Sequence, residues 1–529
     1  MTGKETNKLV KGALFLTLAG IIGKILSAGY RIPLQNLTGD LGFYMYQQIY
    51  PLLGMILILS LYGFPSAISK MVVELRAERK GPSFQSFYLP IFLILFVMAS
   101  LVSVVIFLNA ERIAIFTGDA RLTKTYKWAT LVFLLVPFTV LLRGVFQGHL
   151  LMKPIAISQV GEQLVRVSMI ILGAYLFFIN KISIDQIGEM AVFASLLGAF
   201  TVIIMLSFYF RKSELVSQER YDIPWRYYIR TLCLFGVVSS MNHMVLLIIQ
   251  FADVFTLVPH LVDYGLSETK AMAAKGVLDR GQPLIQLGTV LGSSFALTLI
   301  PTITTTNLRK NQSDMKDNLQ SAMLYSFYLA AGAVIGLVLI FPETNALLFQ
   351  DTQGTRSLQI IACAILLSSL AITSAAILQG IGSFKRTAFY ILGAFVIKWF
   401  ANGVLVPLWG IAGGAISTVL SLLLLTVALL CELKRQLPDV KLFRKINGLA
   451  FIIASVGMSV FIIIMKFALP FTEIGSRSLL LYYVLGIVLI GGFIYFILLL
   501  RFRAFNEKEL HVLPLQRLWM RLYKRRDDK

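Results

Sequence analysis

Two cations stand in an apolar run where a membrane span would carry none. Between Leu9 and Leu34, Thr17, Gly20, Lys24, Ser27 and Arg31 recur at i, i+3, i+7, i+10 and i+14, which confines them to one narrow face of a helix. Leu18, Ile22, Ile25 and Leu26 fall on the opposite, oily face. A cation in the hydrocarbon core costs about 2.5–3.5 kcal/mol on insertion scales, so the cationic face is expected to look onto protein or a water-filled cavity. Neither Lys24 nor Arg31 has an acid at i±3 or i±4 on its own helix, so a partner must come from another span or from a ligand.

The other deep charges are Arg143, Glu162, Arg166, Asp253 and Lys398, with Lys466 near the end of a run. Glu162 and Arg166 form an i, i+4 pair in the favourable order, able to neutralise each other. Arg143 lies close to the inner end of its run and is expected to anchor on phosphates there, while Lys466 is expected to snorkel to the interface. Asp253 suits a bridge to Lys24 or Arg31, either as a gate or as a structural contact. His243 and His260 read as polar contacts; His243, Asp253 and Glu162 are also the groups that could couple to protons. With Glu162 and Arg166 set aside, Lys24, Arg31, Lys398 and Asp253 sum to positive. A cavity of that sign favours an anion, and a guanidinium can grip phosphate oxygens through two hydrogen bonds.

The elements that must position these groups are membrane spans. The chain has 529 residues, 57% of them apolar, and a mean hydropathy of +0.78. Its net charge of +21 would suggest nucleic acid in a soluble protein, but the charges are segregated into loops between long apolar runs, which gives the membrane reading precedence. At about 20 apolar residues per span there are roughly fourteen, from one centred near Ile22 to one near Val488. The expected fold is therefore an all-α polytopic membrane protein. The first apolar run is too long for the core of a signal peptide and is read as a retained span. Most of the 48 lysines and arginines fall on the side that holds both termini, which the positive-inside rule assigns to the cytoplasm. The exceptions are 112–127 and 270–280, basic segments expected outside, with Glu111, Asp119 and Asp279 in or beside them. Cys233, Cys363 and Cys431 are far apart and suggest neither a disulfide framework nor a metal site.

The chain repeats itself weakly. Phe146-Gln147-Gly148 returns as Leu378-Gln379-Gly380, with Lys153 matching Lys385 and Arg166 set opposite Lys398; Phe64-Pro65-Ser66 returns as Ile300-Pro301-Thr302. Both echoes imply a shift of six spans. Six is even, so the halves have the same orientation and read as parallel six-helix lobes followed by two C-terminal helices, an arrangement in which lobes rock about a central site. The boundaries are 1–215 and 216–440 for the lobes, 441–502 for the two extra helices and 503–529 for a basic tail. Polar stripes fall on particular spans: Ser239, Asn242, Gln250, Asp253, Thr256 and His260 on the seventh, Gln282, Gln286, Thr289 and Ser293 on the eighth, Gln159, Glu162 and Arg166 on the fifth, Lys398 and Asn402 on the eleventh. The third, sixth, ninth, thirteenth and fourteenth are cleaner, which separates a cavity-lining set from a lipid-facing set. In the tail, Leu515, Leu518, Trp519 and Leu522 stand at i, i+3, i+4 and i+7 among basic residues, the pattern of an interfacial helix on anionic lipid. A plain topogenic tail would carry the same charges.

Several chemistries are disfavoured. The chain has no Gly-x4-Gly-Lys-Ser/Thr nucleotide loop and no His/Cys cluster at metal spacing, and its candidate loops offer only scattered acids such as Asp263 and Glu268. An enzyme is therefore disfavoured and no cofactor is expected.

The run Gly23-Lys24-Ile25-Leu26 through Arg31, Gly39, Gly42-Phe43-Tyr44 and Pro51 to Gly63-Phe64-Pro65-Ser66-Ala67-Ile68-Ser69-Lys70 resembles the N-terminal signature of bacterial polysaccharide flippases. Within them it most resembles the sporulation stage V protein B-like branch, related to lipid II flippases of the multidrug/oligosaccharidyl-lipid/polysaccharide exporter superfamily. The resemblance implies a cytoplasmic-membrane transporter of two six-span lobes, whose central cavity binds the head of an undecaprenyl-pyrophosphate-linked saccharide. Lys24 and Arg31 would then hold the head group, with Arg166 and Lys398 contributing, and the last two spans would form a groove for the lipid tail. Relatives usually carry Arg at the position of Lys24, and the further cavity arginines of lipid II flippases have no match here. Two other readings stay open. One is a cation-coupled multidrug exporter of the same superfamily, which would need an acid in its first lobe. The other is a non-transporting scaffold, whose basic tail would dock envelope-synthesis enzymes.

Overall fold

A computed structural model describes residues 3–213, 215–308 and 312–510. Their secondary structure is helical apart from short turns and one isolated bridge between Ser83 and Ser217. The chain divides into two compact units, Met1–Asp279 and Arg280–Lys529. Among the described residues, twelve segments are long and apolar enough to cross a membrane. One of these, Leu18–Ala77, has 60 residues, and at 1.5 Å per residue it can cross a hydrocarbon core of about 30 Å twice. The protein is therefore a multi-pass membrane protein.

The first unit begins with α1 (Gly3–Gly29) and α2 (Arg31–Ile58), which continues through a π turn at Leu59–Gly63 into α3 (Phe64–Ala77). Then come α4 (Leu89–Leu108), the short α5 (Ala110–Phe116), α6 (Thr123–Gly148), α7 (Met152–Phe178) and α8 (Gln186–Arg211). The next crossing is broken into α9 (Trp225–Arg230), a π turn at Thr231–Gly236, α10 (Val237–Met241) and α11 (Val245–Asp263), and α12 (Glu268–Asp279) closes the unit. The two broken crossings meet at their breaks: a Cβ on Gly63 would lie 2.4 Å from the Gly236 carbonyl oxygen. Discontinuous helices of this kind expose backbone groups at membrane depth and are tolerated where they line a cavity or pack on protein.

Near its start α2 changes direction at Gly39, whose φ of +67° suits glycine. The bend is capped by α12. Gly276 sits so close to the Asp40 carbonyl that a Cβ would come within 2.2 Å of it. Beside this contact, Lys275 and Asp279 form a buried ion pair at 2.7 Å, and the Lys275 ammonium lies 5.6 Å from the centroid of the Tyr44 ring. The segment 270–280, expected as an external basic segment, thus falls largely on a packed helix in which Lys275 and Asp279 pair at i, i+4.

The second unit contains α13 (Gly281–Leu308), α14 (Gln312–Leu339), the short α15 (Phe341–Phe349) and α16 (Thr355–Ala362), α17 (Ala364–Gly380), α18 (Phe384–Trp409) and α19 (Ile411–Gln436). It ends with α20 (Gly448–Ala468), α21 (Arg477–Arg501) and one turn, α22 (Glu507–Leu510). The α20–α21 pair packs on α14 through a core that includes Tyr325, Tyr328, Ala454, Met458, Ile487 and Tyr495, with the Tyr495 hydroxyl donating to the Tyr328 carbonyl at 2.9 Å. Lys466, expected to snorkel, is ion-paired. It lies 3.0 Å from the buried carboxylate of Glu343 and donates to the Leu339 carbonyl. Burying that acid demands a counter-charge, which the half-buried lysine supplies.

Each unit carries the same hydroxyl contact. Ser60 meets Thr139 at 2.7 Å in the first and Thr289 meets Ser368 at 2.7 Å in the second, with a sequence separation of 79 in both. The basic tail expected on the membrane lies beyond Leu510, outside the described residues.

A Gly276→Ala substitution should push α12 off α2. Overpacking of this kind costs about 1–3 kcal/mol, and the melting temperature of the purified protein in detergent should fall accordingly. An unchanged melting temperature would show that the contact is not tight.

Candidate functional site

Of the residues expected to share one cationic face, Lys24 lies on α1 and Arg31 is the first residue of α2. Side chains are described there for Gly20, Lys24, Ser27 and Arg31; that of Thr17 is outside the described residues. Leu18, Ile22 and Ile25 are exposed on a strip of their own, and Lys24, also exposed, points about 100° or more round the helix from each of them. Lys24 has no hydrogen bond or ion pair with any described residue. Its surroundings are polar. A Cβ on the neighbouring Gly23 would meet Gln163 and Gln159 of α7, and one on Gly20 would lie 3.8 Å from the Tyr62 hydroxyl. Tyr62 stacks on His243 with ring centroids 4.3 Å apart and planes 16° from parallel, and His243 lies within electrostatic reach of Lys24. His243 stands in the break between α10 and α11 and is itself accessible. The break therefore contributes an imidazole to the surroundings of the exposed Lys24.

Arg31 has the opposite character. Only 1% of it is exposed, and its guanidinium carbon lies 3.9 Å from the centroid of the Tyr50 ring. Tyr30 and Tyr46 close the cage edge to face, with centroids 5.9 Å apart and hydroxyls in contact. A desolvated cation over an aromatic face gains about 2 kcal/mol. This cage leaves Nε and one Nη of Arg31 without an acceptor. Two unmade charged hydrogen bonds are costly in a buried site, and an incoming oxyanion would satisfy them.

The third cluster neutralises itself. Glu162 accepts from Arg143 at 2.6 Å through Oε2 and from Arg166 at 2.8 Å through Oε1. Arg143 also donates to the Ser60 hydroxyl at 3.0 Å and to the Ser60 carbonyl at 3.2 Å. Arg143 is thus no phosphate anchor at the membrane surface but a buried strut joining α6, α7 and the π turn after α2. The i, i+4 spacing disclosed Arg166; the second arginine comes from another helix, and spacing gave no sign of it. Leu53, Ser60, Thr139, Glu162, Arg166 and Ser195 line a small cleft beside this network.

Asp253 is buried on α11 within electrostatic reach of Asp279, and Asp279 is likewise within reach of Arg31. Lys398 belongs to the second unit. It is fully buried, and its ammonium donates to the Gly414 carbonyl at 3.0 Å, the Ser417 hydroxyl at 2.8 Å and the Thr418 hydroxyl at 2.7 Å, tying α18 to the first turns of α19. Lys24, Arg31, Glu162, Arg166, His243 and Asp253 all belong to the first unit, with Lys24 beside His243 and Glu162 beside Arg166.

These features define a multi-pass membrane protein with broken crossings and buried cations. Its fold is that of two structurally known transporters. It matches a structure of the lipid II flippase MurJ in an inward closed conformation with a TM-score of 0.64 and 14% identity, over 93% of this chain and 99% of that one. It also matches an inward-facing multidrug resistance MATE family transporter of the MOP superfamily with a TM-score of 0.60 and 14% identity, over 79% and 95%. In sequence, residues 9–307 match the family described as polysaccharide biosynthesis protein. The chain is 34% identical to the uncharacterized membrane protein YabM of Bacillus subtilis (strain 168), over 99% of this chain and 98% of that protein. Identity is 25% to the lipid II flippase MurJ of the same organism (78% and 80% covered) and 23% to its stage V sporulation protein B (96% and 98% covered). The chain belongs to the polysaccharide biosynthesis protein family.

Replacing Glu162 by Gln would leave two buried guanidinium groups facing each other. Breaking a buried pair in this way costs about 3–5 kcal/mol, so Glu162→Gln should sharply lower the melting temperature in detergent. Adding Arg143→Met should restore part of it. No recovery in the double variant would show that the two charges are not coupled.

Proposed function

We propose that the protein is an alternating-access flippase that carries an undecaprenyl-pyrophosphate-linked saccharide, a precursor of cell wall or surface polysaccharide, from the inner to the outer leaflet of the bacterial cytoplasmic membrane. The observation that carries this reading is the split among the deep cations of the first unit. Arg143 and Arg166 are spent on Glu162, whereas Lys24 is accessible and unpaired among polar side chains. Arg31, a short distance along the chain, holds unmade donors in its tyrosine cage. Together they offer the charge and directed N–H groups that a pyrophosphate requires. Support for a lipid-linked cargo comes from the relatives, one of which is a lipid II flippase. Lys24 and Arg31 are the primary contacts, and Arg166 lines the neighbouring cleft. Lys398, whose donors reach three protein oxygens, is read as holding α18 to α19 until the cargo moves. His243, stacked beside Lys24, and Asp253, near Asp279, are read as the groups whose charge is adjusted during the cycle.

A multidrug exporter shares the fold, but cation coupling would call on an acid in the first lobe, and Glu162 is held by two arginines. One of the relatives is named a lipid II flippase and a structural neighbour is named a multidrug transporter, so the chain is read as a transporter and not an enzyme.

Lys24→Ala should leave membrane insertion and melting temperature intact and abolish complementation of a flippase-deficient strain. Removing a hydrogen bond to a charged group costs about 1.5–3 kcal/mol, so head-group affinity should fall by about ten- to a hundredfold. Lys24→Arg should retain function. Full complementation by Lys24→Ala would overturn the assigned role.

A further inference from the structure

We propose that Glu343 is a proton-binding site of the second unit, and that a proton taken up there releases Lys466 and unties α20 from α15. The site is separate from the cations of the first unit and does not depend on what the protein carries.

Glu343 stands in the first turn of α15, directly after Pro342, and is 1% exposed. Neither of its carboxylate oxygens accepts a hydrogen bond from any described residue. The Lys466 ammonium lies 3.0 Å from Oε1, which supplies charge without a directed bond, and it donates instead to the Leu339 carbonyl at 2.8 Å. A buried pair that serves structure alone needs good geometry and satisfied lone pairs. A buried acid with none of its lone pairs bonded calls for another account.

The neighbouring elements do not supply the missing donors. Tyr483 of α21 is within electrostatic reach of Glu343, but its hydroxyl donates to the Met465 carbonyl at 3.4 Å. Arg477, at the start of α21, donates to the Leu347 and Leu348 carbonyls near the other end of α15. The Thr344 hydroxyl donates to the Ile340 carbonyl at 2.9 Å. Arg356 of α16 is exposed, and Asp314, Lys316 and Asp317 lie in the first turns of α14, whereas α15 follows its last. Asp351, just past α15, is paired with Arg280.

A proton fits this site better than a metal ion. Burial penalises the carboxylate far more than the neutral acid, so uptake of one proton from water, forming the O–H bond on Glu343, removes the desolvation cost. The place of a cation beside Oε1 is already held by the ammonium. Once the acid is neutral the ion pair is lost, and Lys466, whose side chain is 32% exposed, can carry its charge to water while its methylenes stay packed. The ionised pair joins α15 to α20; the protonated acid leaves them unjoined.

The test uses the full-length protein in nanodiscs, taken from about pH 8 to about pH 4, a range that spans the titration of a carboxyl group. Infrared difference spectra should include the carbonyl stretch of a newly protonated, buried carboxyl, and Glu343→Gln should remove it. Lys466→Met takes away the counter-charge without touching the acid, and should raise the midpoint of that band by at least about one pH unit. This variant carries the test even where Glu343→Gln does not assemble. Hydrogen exchange in α15, corrected for the intrinsic effect of pH, should quicken by at least about tenfold when the wild type is acidified, and should be quick at both pH values in Glu343→Gln. The same band in Glu343→Gln, or a midpoint unmoved by Lys466→Met, would overturn the proposal. So would exchange in α15 that answers to added sodium ions at fixed pH and not to acid.

Discussion

A carboxylate taken out of water must be matched by charge and hydrogen bonds in place, and the interior of the first unit is arranged around one such group. Glu162 receives Arg143 through one oxygen and Arg166 through the other. Each ion costs several kcal/mol to desolvate, so the cluster is tolerable only when its geometry is good and the remaining donors find acceptors. Ser60 supplies two of them and is held by Thr139. Three crossings are thereby tied together at membrane depth. The cluster also consumes the acid and two of the arginines that might have met a ligand, which leaves Lys24 as the accessible cation.

Arg31 is held by a different force. Three tyrosines surround it instead of a carboxylate, so its positive charge is retained while two donors stay unmade. A salt bridge there would cancel the charge; a cage of rings does not. Lys24, in turn, lies among amides, a phenol and an imidazole, none of which neutralises it. The region therefore stays electropositive at a depth where lipid would exclude an anion, and this property underlies the flippase reading.

Much of this was legible in sequence. Lys24 lies on a different side of its helix from Leu18, Ile22 and Ile25, as the spacing predicted, and Glu162 and Arg166 announced their pairing by their spacing. The echoes between Phe146-Gln147-Gly148 and Leu378-Gln379-Gly380 suggested a six-span shift, and each unit holds a buried serine–threonine contact of its own. Arg143 was misread because its partner lies on another helix. The cage was not legible either, since Tyr46 and Tyr50 are brought to Arg31 by a bend at Gly39 that no periodicity reveals. Lys275 and Asp279 had the spacing of a pair, but a charged segment between apolar runs looks like a loop until a neighbouring helix is seen to bury it. Lys466 and Glu343 are far apart in sequence and meet only through packing. Local spacing thus discloses partners on one helix, and tertiary packing decides the others.

The most direct measurement of flippase activity tracks the cargo itself. When the protein is depleted from its own cell, undecaprenyl-pyrophosphate-linked saccharides can be quantified and their leaflet assigned by accessibility to an external, membrane-impermeant reagent. A flippase of this kind predicts that one such precursor accumulates in the inner leaflet while its outer-leaflet pool falls. Unchanged amounts and unchanged sidedness of every lipid-linked saccharide would contradict it.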